Sequence, residues 1–187
     1  MTTPTFIQLS SFSDLEALQE KEAITQGLLQ EQAEISPKYF YDNLGSRLFE
    51  AITALDEYYP TRTESQIFEA HGPEIFGQLP HHRPLIELGA GSCRKAERLL
   101  HWMRPSRFVG IEIAAEFLQE GLTRLSERFP DMPLVGLGYD FSSSLDIPLS
   151  LPELGTGPRD IFYPGSSIGN FDPDQALKLT QSMATLS

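Results

Sequence analysis

The chain is poor in cysteine, in basic residues and in long apolar runs, and each shortage closes a class of function. A single cysteine, Cys93, excludes an intramolecular disulfide and any zinc site built on several thiolates. Lys and Arg number 14 against 26 Asp and Glu, a formal net charge of -12. That balance argues against nucleic acid as the main partner, because phosphate binding needs clustered bases. No run reaches the ~18 apolar residues of a transmembrane helix. The N-terminus lacks the basic-then-apolar pattern of a signal peptide. The resulting expectation is a soluble, cytoplasmic protein without a metal, a nucleic-acid partner or a membrane. His71, His81 and His82 have no metal-site spacing and read as surface residues.

What is present centres on Arg83 to Lys95, Arg-Pro-Leu-Ile-Glu-Leu-Gly-Ala-Gly-Ser-Cys-Arg-Lys. Pro84 to Leu88 has the length and apolar character of a buried parallel strand. Gly89-Ala90-Gly91 makes a tight turn, and Lys95 to Met103 reads as a helix. Strand, glycine turn and helix form the first unit of a nucleotide-binding α/β fold. The third glycine of a dinucleotide fingerprint is missing, since Arg94 stands in its place. Glu87 before the turn would repel a phosphate and suits a cationic ligand such as S-adenosylmethionine, which carries a sulfonium and an ammonium. A ligand-free strand-to-helix turn has the same local sequence, so both readings stand at this point.

The 187 residues suffice for one sizeable core. Met1 to Ser11 reads as a polar, loose end. The capping box Ser13-Asp14-Leu15-Glu16 predicts a helix to about Ala33, with Leu15, Leu18, Leu28 and Leu29 facing inward. Ser46 is placed to cap a helix through Leu48, Phe49, Ile52 and Leu55. Thr61-Arg62-Thr63-Glu64 is a second capping box, opening a helix to about Leu79. Tyr39, Phe40, Tyr41, Tyr58 and Tyr59 flank the short helix between them. They serve equally as core or as pocket-lining groups that hydrogen-bond a polar substrate.

Past the glycine turn, Arg107 to Ile113 is the second strand. Glu112, near its C-terminal end, lies 23 residues beyond Gly89, where an acid can accept from a ribose diol. Glu116 to Arg128 is an amphipathic helix. Pro133 to Gly138, the third strand, delivers Asp140 and Phe141 to the same sheet edge, where they can bond and stack on an adenine. Ser142 to Gly157 reads as a loop. Asp160 to Tyr163, the fourth strand, ends in the small-residue loop Pro164 to Phe171. Asp172-Pro173 then starts a last helix, Asp174 to about Leu186. Four strands make half of a doubly wound sheet with the fourth at an open edge, so the protein is expected to be a truncated piece of a longer one.

Several segments together resemble one family. Tyr39-Phe40-Tyr41-Asp42, Gly45-Ser46 with Leu48-Phe49-Glu50, and Glu57-Tyr58-Tyr59-Pro60-Thr61-Arg62-Thr63-Glu64 resemble the N-terminal signature of the histidine N-alpha-methyltransferases, which make hercynine in ergothioneine biosynthesis. Glu87 to Gly91 and Gly165-Ser166-Ser167-Ile168-Gly169-Asn170-Phe171 match its later motifs in order. Ala90, Cys93 and Glu112 stand where the family often has Ser, Thr and Asp.

The resemblance implies an α/β, Rossmann-like class I S-adenosylmethionine-dependent methyltransferase fold over residues 83–187, with its first four parallel strands and flanking helices. A helical substrate-binding region over residues 1–82 would precede it. It implies S-adenosylmethionine held by Gly89, Gly91, Lys95, Glu112, Asp140 and Phe141. It implies L-histidine held and oriented for catalysis by Tyr59 and Asn170, with Gly165 and Ser167 near the amine and Tyr41 in the same pocket. A monomer acting on a small molecule is the expectation. A relative acting on another amino acid, such as tryptophan or a derivative, would share these motifs. So would a non-catalytic cofactor-binding remnant.

Overall fold

Three uninterrupted apolar runs pair side by side to form the centre of a parallel sheet. The computed structural model describes residues 2–9, 14–142 and 144–187, with side chains 14–16 excepted. Its strands are β1 (Thr5–Gln8), β2 (Pro84–Leu88), β3 (Arg107–Glu112), β4 (Leu134–Gly138) and β5 (Asp160–Phe162), in the order β1-β4-β3-β2-β5 with every neighbour parallel. Residues opposed across the sheet share a face. Leu85, Phe108 and Leu134 meet Leu99, Leu100, Leu118 and Leu122 on one side. Ile86, Val109 and Val135 meet Leu154, Leu179 and Leu186 on the other. The covering helices are α4 (Arg94–Met103) and α5 (Ala115–Arg128) on the first face, and α6 (Pro173–Leu186) on the second. Burial on both faces is why the central strands read as continuous apolar runs rather than alternating ones.

The order of strands sets the site. From β2 the path moves outward through β3 to β4, and then β5 returns to the opposite side of β2. Between β2 and β5 the sheet therefore changes direction, and a crevice opens at the carboxyl ends of those strands. Within the helix cover, α5 approaches the glycine loop closely. A Cβ on Gly121 would lie 2.8 Å from both atoms of the Ser92 carbonyl group. Gly121→Ala is accordingly expected to cost about 1–3 kcal/mol through overpacking, despite alanine's better helix propensity. An unchanged urea midpoint would show that the loop can yield.

The structure corrects the reading of the N-terminal region. Thr5–Gln8 is a fifth strand paired to β4, with Thr5 opposite Val135 and Gln8 opposite Gly138, where a loose end was expected. Backbone bonding to an otherwise open sheet edge decides this, since four half-exposed residues carry little pattern of their own. The N-terminal helix α1 is Asp14–Leu28, and its expected Ser13 cap lies outside the described residues. Leu18, Leu28 and Leu29 are exposed rather than inward-facing. Both faces of the sheet are already covered by α4, α5 and α6, which leaves them nothing to bury against.

Helix α2 is Asn43–Thr53, and its cap is Asp42, whose Oδ1 accepts the Gly45 N–H at 2.6 Å. Ser46, the expected cap, is buried inside the first turns. Helix α3 is Tyr59–Phe76, starting before the Thr61 capping box and stopping short of Leu79. Pro60 at its first turn has the φ a helix start needs, and Glu64 is engaged elsewhere. The polar side of α2 faces the sheet domain: Asn43 bonds Glu116 at 2.6 Å, Arg47 bonds Glu120 at 2.5 Å and Glu50 pairs with Arg94 at 2.9 Å. No helix among the described residues is long and apolar enough to cross a membrane.

Candidate active site

The loop after β2 is folded onto the end of β3. Gly89 and Gly91 adopt φ of 68° and 52°, a region that strains any residue with a Cβ. The Gly89 and Ala90 N–H groups both donate to the Ile111 carbonyl, at 2.9 and 3.2 Å. Cys93, at φ 57°, leads into α4 and is 1% exposed. Burial pushes its thiol well above the ordinary value, as befits a packing residue and not a nucleophile.

Two carboxylates lie at this turn. Glu112, at the end of β3, is 8% exposed. Its Oε2 accepts the Gly91 N–H at 2.9 Å, and its Oε1 accepts those of Ile113 and Ala114 at 2.8 and 3.2 Å. Burial raises its pKa, and the three N–H donors oppose that rise. Glu87, at the end of β2, is 1% exposed, and its Oε2 has no hydrogen-bond partner. Burial pushes its pKa up to about 8, with Lys95 pulling it down and Glu112 and Glu64 adding to the rise.

Lys95, in the first turn of α4, pairs with Glu64 of α3 at 2.8 and 3.0 Å. Its Nζ lies 3.2 Å from where a Gly165 Cβ would be, so the start of α4 reaches the loop after β5 across the crevice. The Phe141 ring is the nearest group above Gly89, and Phe117 of α5 is nearest above Gly91, each 3.9 Å from an added Cβ. Phe141 also meets Tyr163 edge-on, with centroids 5.9 Å apart. The Tyr163 hydroxyl accepts from the Ser167 hydroxyl at 3.0 Å. Burial raises the Tyr163 pKa, Ser167 lowers it, and half-buried Tyr41 is near enough to add to the rise.

Asp140 follows β4. Its Oδ1 accepts the Ser142 N–H at 2.8 Å, and its Oδ2 accepts from Lys38 at 3.0 Å. Asn170, ending the 3-10 turn Ser167–Asn170, and Tyr59, opening α3, are both exposed, Tyr59 by 66%. Among the described residues no side-chain hydrogen bond is found for either of these two. Glu64, Lys38, Phe117 and Tyr163 were not picked out from the sequence. Glu64 meets Lys95 and Lys38 meets Asp140 across long stretches of polypeptide, which no local pattern marks.

These features fit S-adenosylmethionine. A buried carboxyl without a cationic hydrogen-bond partner underlies the turn, two glycines leave the backbone bare, and two aromatic rings wall the space above them. The fold is shared with the magnesium protoporphyrin IX methyltransferase of Synechocystis PCC 6803, solved with bound SAM: the TM-score is 0.57 at 14% identity, covering 84% of this chain and 74% of that one. Among curated proteins, the chain is 33% identical over 180 residues to the histidine N-alpha-methyltransferase of Mycolicibacterium smegmatis, covering 94% of this chain and 54% of that protein. It is 32% identical over 163 residues to the protein of the same name from Mycobacterium tuberculosis, covering 84% and 49%. The chain thus spans about half the length of the curated relatives it matches. The family model described as histidine-specific methyltransferase, SAM-dependent, matches residues 20–187. With nine-tenths of its length inside that match and the glycine turn at the sheet's change of direction, the chain belongs to the SAM-dependent, histidine-specific methyltransferases.

Proposed function

We propose that this chain serves an S-adenosylmethionine-dependent methyltransferase acting on the α-amino group of L-histidine, three times over, to give hercynine in ergothioneine biosynthesis. The observation that carries the reading is the reach of the Lys95 ammonium, from the first turn of α4 behind the Gly89–Gly91 turn, to the Gly165 backbone at the β2–β5 crevice. S-Adenosylmethionine, when bound, supplies an electrophilic methyl on its sulfonium. The protein's own residues hold and align. Glu112 retains an unused lone pair on Oε2 for a ribose hydroxyl. Asp140 and Phe141 take the adenine, while Lys95 and the bare backbone of Gly89 and Gly91 take the methionine end. Glu87 lies where a cationic centre would be compensated.

On the amino-acid side, Tyr59 and Asn170 orient the histidine carboxylate, and Tyr41 lines the same pocket. The Ser167 hydroxyl donates its proton to Tyr163, so its lone pairs can accept amine hydrogens beside the Gly165 backbone. The amine attacks as the neutral form. With no dedicated base among these residues, the ammonium proton leaves to solvent before attack. Catalysis then rests on holding nucleophile, methyl and sulfur in line with water excluded.

The deciding experiment is incubation with S-adenosylmethionine and a panel of amino acids, read by mass spectrometry. Trimethylated histidine supports the reading; methylation of another amino acid overturns the choice of substrate, and no product overturns activity for this chain. Asn170→Ala is expected to raise the histidine Kd about thirtyfold, the loss of one or two polar contacts to a carboxylate, with the S-adenosylhomocysteine Kd unchanged. Unaltered histidine affinity would remove Asn170 from the pocket.

A further inference from the structure

Lys38 lies in the 3-10 turn Pro37–Phe40, far in sequence from the sheet, yet its ammonium reaches Asp140 Oδ2 at 3.0 Å. The same ammonium bonds the Glu20 carboxylate of α1, which also accepts from the Tyr39 hydroxyl at 2.8 Å. The Lys38 and Asp140 side chains are 14% and 7% exposed, so their pairing is shielded from water. Asp140 Oδ1 meanwhile accepts the Ser142 N–H at 2.8 Å. One donor on each oxygen sets the plane of the carboxylate and leaves each oxygen a second lone pair. Among the described residues, two carboxylates, Glu20 and Asp140, share this ammonium. The Tyr139 N–H bonds the Glu112 carbonyl at 3.0 Å, which registers Asp140 against the neighbouring strand end.

We propose that Lys38 is a positioning residue of the cofactor site, which holds Asp140 as an oriented acceptor for the exocyclic amine of the bound purine. This rests on the cofactor reading given above. The physical reason is that a short side chain at the start of a loop has two free torsions. A carboxylate that must read one amine needs both fixed before the ligand arrives. The loop from Ser142 supplies one restraint from its own backbone, and Lys38 supplies the other from the N-terminal region.

The test is calorimetric titration of the protein with S-adenosylhomocysteine and with its 6-oxo analogue. Lys38→Met is expected to weaken S-adenosylhomocysteine binding roughly tenfold and to shrink the preference for the 6-amino base. Lys38→Arg, which keeps the charge and guards against loss of folding, is expected to restore most of both. Because Lys38 acts through Asp140, adding Lys38→Met to Asp140→Asn is expected to cost little more than Asp140→Asn alone. A merely structural role would weaken both ligands equally and leave the losses additive, which overturns the proposal. Unaltered affinity in Lys38→Met overturns it as well. If the unaltered protein binds neither ligand, the cofactor reading falls and this one falls with it.

Discussion

Glu112→Ala is expected to weaken S-adenosylhomocysteine binding roughly ten- to a hundredfold and to lower stability by about 2–4 kcal/mol. The carboxylate holds the turn and, in the proposed site, also takes the ribose. Its oxygens accept from Gly91, Ile113 and Ala114, which holds the glycine turn against the end of β3. Removing it orphans three backbone donors in a buried setting, at ~1–3 kcal/mol for each that water does not reach. A ribose hydroxyl would also lose its charge-assisted bond to the remaining Oε2 lone pair, about 1.5–3 kcal/mol, or roughly ten- to a hundredfold. Titration calorimetry and urea unfolding measure the two effects separately. Binding within threefold of the unaltered protein would remove Glu112 from the ligand site, even if stability fell.

The second large effect belongs to Glu87 and depends on pH. Burial raises its folded pKa from 4.5 to about 8. Between those values the folded state holds a proton that the unfolded state releases, so stability is full below pH 4.5 and falls as pH rises through 8. The loss reaches roughly 4–5 kcal/mol above pH 8, from a gap of about 3.5 units at 1.36 kcal/mol each. Glu87→Gln should flatten the dependence of unfolding free energy on pH between 5.5 and 8.5. Burial raises Glu112 too, so some slope of the same sign persists, and the difference between the two proteins isolates Glu87. A parallel pH profile in both would show that Glu87 is ionised in the folded protein. The same linkage predicts that S-adenosylmethionine affinity rises with pH up to about 8, because a cation favours the ionised carboxyl; Glu87→Gln should remove that rise.

By itself, the sequence determined β2, β3, β4 and β5 and the glycine turn between β2 and α4. A strand buried on both faces must be a short apolar run bounded by turn residues, and that requirement is local. It also determined that Glu112 ends a strand and that Gly89, Asp140 and Gly165 follow strands, hence that they gather at one edge of a parallel sheet. Helix ends were less legible: Asp42 and Tyr58 start α2 and α3 where Ser46 and Thr61 have equally good local credentials. Only the tertiary structure decided that Thr5–Gln8 is a strand, since its bonds depend on which edge of β4 is open. Only it decided that Leu18, Leu28 and Leu29 stay exposed, since other helices already cover the sheet. Above all, it paired Lys38 with Asp140, Lys95 with Glu64 and Asn43 with Glu116. A charged residue bears no local sign of its partner: opposite charges at many positions would satisfy it, and the order of the strands selects the one that comes within reach.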